Sequence, residues 1–163
     1  FHPLPPGEGW GEGMPVDIVS RARGRKLPLR RIKRTAEKIL DFVDQSESEL
    51  SLALVGNAAI AKLNKKYRRK PKATDVLSFL AESAVNGGPS LLGDVVISID
   101  QARAQAEAGG WTLAQEIDRL LIHGIVHLLG YDHERSPKDA RVMRALEKKI
   151  ARAVCGKRGA ALL

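Results

Sequence analysis

A chain of 163 residues, 44% of them hydrophobic, is long enough to bury one core without disulfides or a metal as a folding staple, so any metal here is expected to serve chemistry. The longest apolar run, around LLIHGIVHLL, is too short and too polar to span a bilayer. The single cysteine, Cys155, excludes an internal disulfide, and no signal-like segment opens the chain, so the cytoplasm is the expected compartment. Net charge is +8, and because residues 1–13 hold Glu8 and Glu12 but no Lys or Arg, the remainder carries +10. Such a surface attracts polyanions, and charge alone chooses neither among nucleic acid, ribosome and anionic membrane nor against a merely solubilising excess.

FHPLPPGEGWGEG (1–13) is rich in Gly and Pro without apolar periodicity. It is expected to be a disordered leader outside the native coding sequence, with Met14 as the start. PVDIVSR (15–21) alternates like a strand, and LRRIKRTAEKILDFVD (29–44) places Leu29, Ile32, Ala36, Ile39, Leu40 and Val43 on one helical stripe opposite a basic face. ELSLALVG (49–56) predicts a second strand, AAIAKLNKKY (58–67) a helix, and 75–81 and 91–99 two further strands around an NGGPS turn. QARAQAEAGG (101–110) reads as a short helix closed by glycine. Thr112 and Gln115 form a capping box for a helix reaching about Leu129. The last helix, 136–154, has Ser136 as N-cap and Pro137 at its first position, and a flexible tail is expected over 156–163. There is no internal repeat and no second core, so residues 14–155 are expected to form one domain.

Three of the four histidines stand in HGIVHLLGYDH, residues 123–133. Residues four apart share a helix face, so His123 and His127 can aim at one point. Gly130 can turn the chain back and bring His133 to them. Three neutral imidazoles would hold zinc with its fourth position open, the catalytic arrangement. The alternative, histidines stacked by chance on an amphipathic helix, suits one histidine better than three. The spacing matches H-E-x-x-H-x-x-G-x-x-H of the metzincin proteases except that Gly124 replaces the glutamate base of peptide hydrolysis. A glycine inside a helix costs about 1 kcal/mol against alanine, and the expectation is that it leaves room for substrate. Asp132 is either a partner to a ligand imidazole or the anchor of an Asx turn, which it shapes with Tyr131.

HGIVHLLGYDH, LNKKYR (63–68), TDVLSF (74–79) and LGDVVIS (92–98) together resemble the YbeY family of bacterial endoribonucleases, over about Met14 to Val154. Leu80 departs from that pattern, where proline is expected after L-S-F, and the leader has no counterpart. The resemblance implies one α/β domain, a small mixed four-stranded sheet packed with about five helices. It implies that His123, His127 and His133 bind one zinc ion per chain and that Arg68 is catalytically essential. It further implies a cytoplasmic, single-strand-specific, zinc-dependent endoribonuclease that matures small-subunit (16S) ribosomal RNA and takes part in ribosome quality control. Its partners would be ribosomal RNA and the small ribosomal subunit, with no membrane.

Phosphodiester cleavage builds negative charge on the equatorial oxygens, which zinc and the Arg68 guanidinium are suited to stabilise. Around Arg68, Lys65, Lys66, Arg69, Lys70 and Lys72 are expected to track an RNA backbone, extended by Lys33, Arg34 and Lys38. Tyr67 either stacks a base or packs in the core. Apart from the resemblance, this run reads equally as a solvated helix end. The attacking group, a metal-activated water or the RNA's own 2′-hydroxyl, stays open. Glu116 is expected to be a surface carboxylate near its helix N-terminus before a base, Asp75 and Asp94 strand-end carboxylates, and Cys155 a small core residue. The competing readings are a ribosome-assembly factor with a structural zinc and a metalloprotease with an unusual base.

Overall fold

The structure, a computed structural model, describes residues 15–24, 26–81 and 90–163. The leader 1–13 and most of the NGGPS turn lie outside those residues. Strands β1 (Val16–Ser20), β2 (Glu49–Val55), β3 (Val76–Leu80) and β4 (Leu91–Ser98) build one mixed sheet in the order β1-β2-β4-β3. β1, β2 and β4 run parallel, and β3 closes one edge antiparallel to β4. The central strands β2 and β4 are covered on both faces, which is why they read as nearly continuous apolar runs.

Among the described residues five helices, α1 (Leu29–Phe42), α2 (Asn57–Arg68), α3 (Ile99–Gly109), α4 (Leu113–Leu128) and α5 (Pro137–Ala160), complete the α/β domain. Alternation along the strands divides the core unequally. Leu52, Leu54, Val95 and Ile97 join the large core with Ile32 and Ile39 of α1, Leu120 and Ile125 of α4, and Met143 and Ile150 of α5. Ala53, Val55, Leu77 and Val96, facing the other way, meet Ile60 and Leu63 of α2 in a smaller cluster.

Element boundaries differ from the periodicity by a few residues. α1 stops at Phe42 instead of 44 because Asp44 takes a left-handed conformation, φ 57°. α3 starts at Ile99, where the Ser98 hydroxyl caps it by accepting from the Gln101 amide at 3.3 Å. α5 is interrupted at Gly156 (φ 73°, ψ −170°) and resumes to Ala160, after which Leu163 packs against the large core. No helix among the described residues is long and apolar enough to cross a membrane.

Candidate metal centre

α4 is fastened at its start and buried along most of its length. The Thr112 hydroxyl accepts from the Gln115 amide at 3.2 Å, and the Gln115 side-chain oxygen accepts from the Thr112 amide at 2.8 Å. Ile117, Leu120, Leu121, Ile122, Ile125 and Val126 then lock the helix into the large core. His123 and His127, half-buried, stand on its flank. After Leu128 the chain turns through Gly130, whose φ of +95° suits glycine. The Asp132 carboxylate accepts from the Glu134 amide at 2.9 Å, so Asp132 anchors the Asx turn. That hydrogen bond, ahead of any charge, holds the Asp132 carboxyl below its ordinary pKa.

The turn returns His133 to the other two imidazoles, with ring centroids 4.6 Å apart for His123–His127 and 5.3 Å for each pair with His133. One nitrogen from each ring lies within 4.8 Å of the others, close enough for small ring rotations to gather them on one ion. Burial, with the neighbouring His123 and His133 adding to it, lowers the His127 pKa and favours the neutral imidazole that a metal requires. The chemistry and spacing of the three residues fit a metal ion, for which they could supply three ligand nitrogens. Cys155 is not among them; its thiol lies 3.9 Å from Asp118 Oδ2.

The residue the sequence reading missed is Glu147. Its carboxylate, contributed by α5 and nearly buried, sits 2.6 Å from His123 Nδ1. A carboxylate there accepts a hydrogen bond from Nδ1–H, which keeps the proton on Nδ1 and leaves Nε2 bare for a metal, the arrangement that orients ligand histidines. The signal was present: Glu147 interrupts the apolar stripe Met143, Ile150, Val154, and an acid on a core-facing stripe needs a partner.

Three expectations are corrected. Gly124 makes no room for substrate: it is buried against β4, where an added Cβ would come within 2.8 Å of Val95, and its carbonyl accepts from the Ser78 hydroxyl at 3.0 Å. Glu116 is no surface carboxylate. Fully buried, it accepts from the Trp111 indole at 2.7 Å and from Arg119 Nε at 3.0 Å, which accounts for its charge without a catalytic role. Asp94 lies inside β4, buried, opposite Ser51 and Phe79, rather than at a strand end. Asp75 does sit at the start of β3; its carboxylate accepts from the Val76 amide at 2.8 Å and from Gln105 at 3.2 Å, with Arg119 4.0 Å away.

Arg68 ends α2 on the other face of the sheet. It is exposed and has no acidic partner among the described residues, and no hydrogen bond joins it to the histidines. Lys65, Lys66, Arg69, Lys70 and Lys72 are exposed around it. Tyr67 packs edge-to-face on Phe79 of β3 at 5.0 Å, with the Lys66 ammonium 5.2 Å from its ring centroid. The basic loop is folded back onto α2: buried Asn64 donates to the Lys72 carbonyl at 2.8 Å and accepts from the Lys70 amide at 3.3 Å. Edge strand β3 lies between the two groups, with Ser78 against α4 and Phe79 against α2.

Residues 17–154 match the family model described as Endoribonuclease YbeY. The chain belongs to the YbeY endoribonuclease family. It is 45% identical over 133 residues to the Endoribonuclease YbeY of Sulfurihydrogenibium, covering 82% of this chain and 88% of that protein. With its namesake in Persephonella marina it shares 46% over 135 residues, again 82% and 88% of the two chains. The solution structure of TM1509 from Thermotoga maritima superposes with a TM-score of 0.61 at 29% identity, over 87% of this chain and 90% of that one. A YbeY chain is thus a nuclease by family, and its three clustered histidines could hold a metal ion.

Proposed function

We propose that this protein is a zinc-dependent, single-strand-specific endoribonuclease of the cytoplasm that matures small-subunit ribosomal RNA and takes part in ribosome quality control. The observation that carries the reading is the convergence of His123, His127 and His133, with Glu147 orienting the first, in a family of endoribonucleases. In this reading the histidines hold one zinc ion, which when bound supplies Lewis acidity at a phosphoryl oxygen. His123 presents Nε2 because its Nδ1–H donates a hydrogen bond to the Glu147 carboxylate, and His127 stays neutral because it is half-buried among imidazoles. Arg68, exposed and without an acidic partner among the described residues, offers its guanidinium to the phosphodiester. Lys65, Lys66, Arg69, Lys70 and Lys72 attract the flanking backbone of RNA in the small ribosomal subunit. A protease reading meets a steric objection: a glutamate at position 124 would be driven into Val95.

The test is cleavage of an end-labelled single-stranded RNA by the intact chain and by Arg68→Ala, with RNA binding measured in the same samples. Cleavage by the first alone, with binding retained in both, is the expected result. If neither cleaves while both bind, the chain is an assembly factor whose metal is structural.

A further inference from the structure

A second feature lies on the opposite flank of α4. Asp118 and Ile122 of α4, Arg31, Arg34, Thr35 and Lys38 of α1, and Val154 and Cys155 of α5 line a cavity of about 460 Å³, to which Leu162 and Leu163 add apolar lining. His123 and His127 lie five and nine residues beyond Asp118, which puts them roughly 140° and 180° around the helix from it. The cavity is therefore separate from the metal centre.

Its polar and apolar parts are divided. Arg31 is clamped by both Asp118 oxygens, and Arg119, at the cavity's other side, is clamped by Glu116. Arg34 and Lys38, three and seven residues after Arg31, continue the same stripe of α1; both are exposed, with no acidic partner among the described residues. Four cations thus surround a space in which, among the described lining residues, the one carboxylate side chain is that of Asp118, already engaged by Arg31. The Cys155 thiol adds no negative charge near neutrality, because burial, with Asp118 beside it, pushes its pKa up to about 11. Ile122, Val154, Leu162 and Leu163 supply an apolar wall. A bare inorganic anion would leave that wall unused, and an apolar ligand would leave Arg34 and Lys38 uncompensated. The volume falls in the lower half of the usual range for small-ligand pockets, enough for one nucleotide.

The geometry points to a second nucleotide site between α1, α4 and α5, in which Arg34 and Lys38 hold a phosphate and the apolar wall receives the base. The nucleotide is either free or one unit of an RNA strand, and the chemistry is the same.

The experiment is amide-resolved NMR titration of the whole chain with AMP, with inorganic phosphate and with a single-stranded oligoribonucleotide, repeated on Arg34→Ala/Lys38→Ala and on His127→Ala. AMP should shift the amides of Thr35, Gln115, Val154 and Leu162 saturably. Two lost charge-assisted hydrogen bonds should weaken this about tenfold or more in the double variant, while His127→Ala leaves it unchanged. The substituted side chains are exposed, so the double variant should keep the wild-type spectrum elsewhere. Oligoribonucleotide that displaces AMP from these amides identifies an RNA strand as the occupant, and oligoribonucleotide that does not identifies a free nucleotide. Either supports the site. Equal affinity for inorganic phosphate and AMP overturns it, as does the absence of shifts at these four amides with AMP and with the oligoribonucleotide. Neither result bears on cleavage at the histidines, so this site and the proposed reaction fail separately.

Discussion

α4 and α2 carry the two halves of the proposed machinery in opposite ways. α4 is capped at Thr112 and buried along most of its length, and it holds His123 against a carboxylate from α5. α2 buries little beyond Ile60 and Asn64 and ends in exposed cations. A metal needs ligands fixed to fractions of an ångström, so its helix is set in the core. A polyanion needs charge that can follow a backbone, so Lys65, Lys66 and Arg68 sit in the last turn of α2, where they also complement the helix dipole. The difference separates groups whose loss abolishes a site from groups whose loss weakens a surface.

The comparison breaks first at His127. His127→Ala should lose bound metal and lower RNA cleavage on the order of 10³-fold or more, with RNA binding retained; metal analysis of the purified variant and cleavage rates check it. Chelation of the wild-type chain should do the same without unfolding it, because the large core closes without the histidines. Loss of the far-ultraviolet dichroism on chelation would make the metal structural. Arg68→Ala should come next, with cleavage lowered roughly 10²–10³-fold at unchanged metal content and melting temperature, since Arg68 is exposed and has no acidic partner among the described residues. A parallel loss of RNA binding would return Arg68 to the general basic surface.

Glu147→Gln should lie between the two classes. The amide can still meet His123 but carries no charge, and metal affinity in competition with a chelator should fall about 10–100-fold. Equal affinity would show that the His123–Glu147 contact serves packing alone. Gly124→Ala touches no ligand, yet its methyl would meet Val95, so it should cost about 1–3 kcal/mol in denaturant unfolding. A substrate-clearance role would instead leave stability intact and raise KM.

What could be read from the sequence follows from how local each signal is. The capping box, the i, i+4 histidines and the glycine turn are all contained within Thr112–His133, and the structure assembles them as their spacing requires. Glu147 and Gly124 depend on contacts with residues 24 and 29 positions away, and no period within one helix announces which strand or helix will arrive. Glu116 was misplaced for a different reason: its partners Trp111 and Arg119 are only five and three residues away, but an acid near a helix N-terminus suggests solvent, and spacing alone does not say that both side chains fold over it while the helix is buried. The mixed sheet was implied by the resemblance, whereas the order β1-β2-β4-β3 depends on long-range pairing that strand alternation does not encode.

The smallest expected effect tests the α2 side of the comparison most finely. Lys65 is exposed one turn before Arg68, on the same helix and with the same charge. If the surface merely collects counter-charge, Lys65→Ala should remove one phosphate contact, weaken RNA binding a few-fold at low salt, and make the slope of log K against log salt shallower by about 0.7. Its cleavage rate at saturating RNA should then match wild type, because a backbone contact made equally in the ground and transition states lowers KM without touching kcat. Arg68→Ala should show the reverse, a fall in kcat at a nearly unchanged salt slope. Were the two variants to behave alike, α2 would contribute a charged surface and nothing more, and the group that stabilises the phosphodiester in the transition state would have to be sought on α4's side of β3, where Arg119 already lies within 4.0 Å of Asp75.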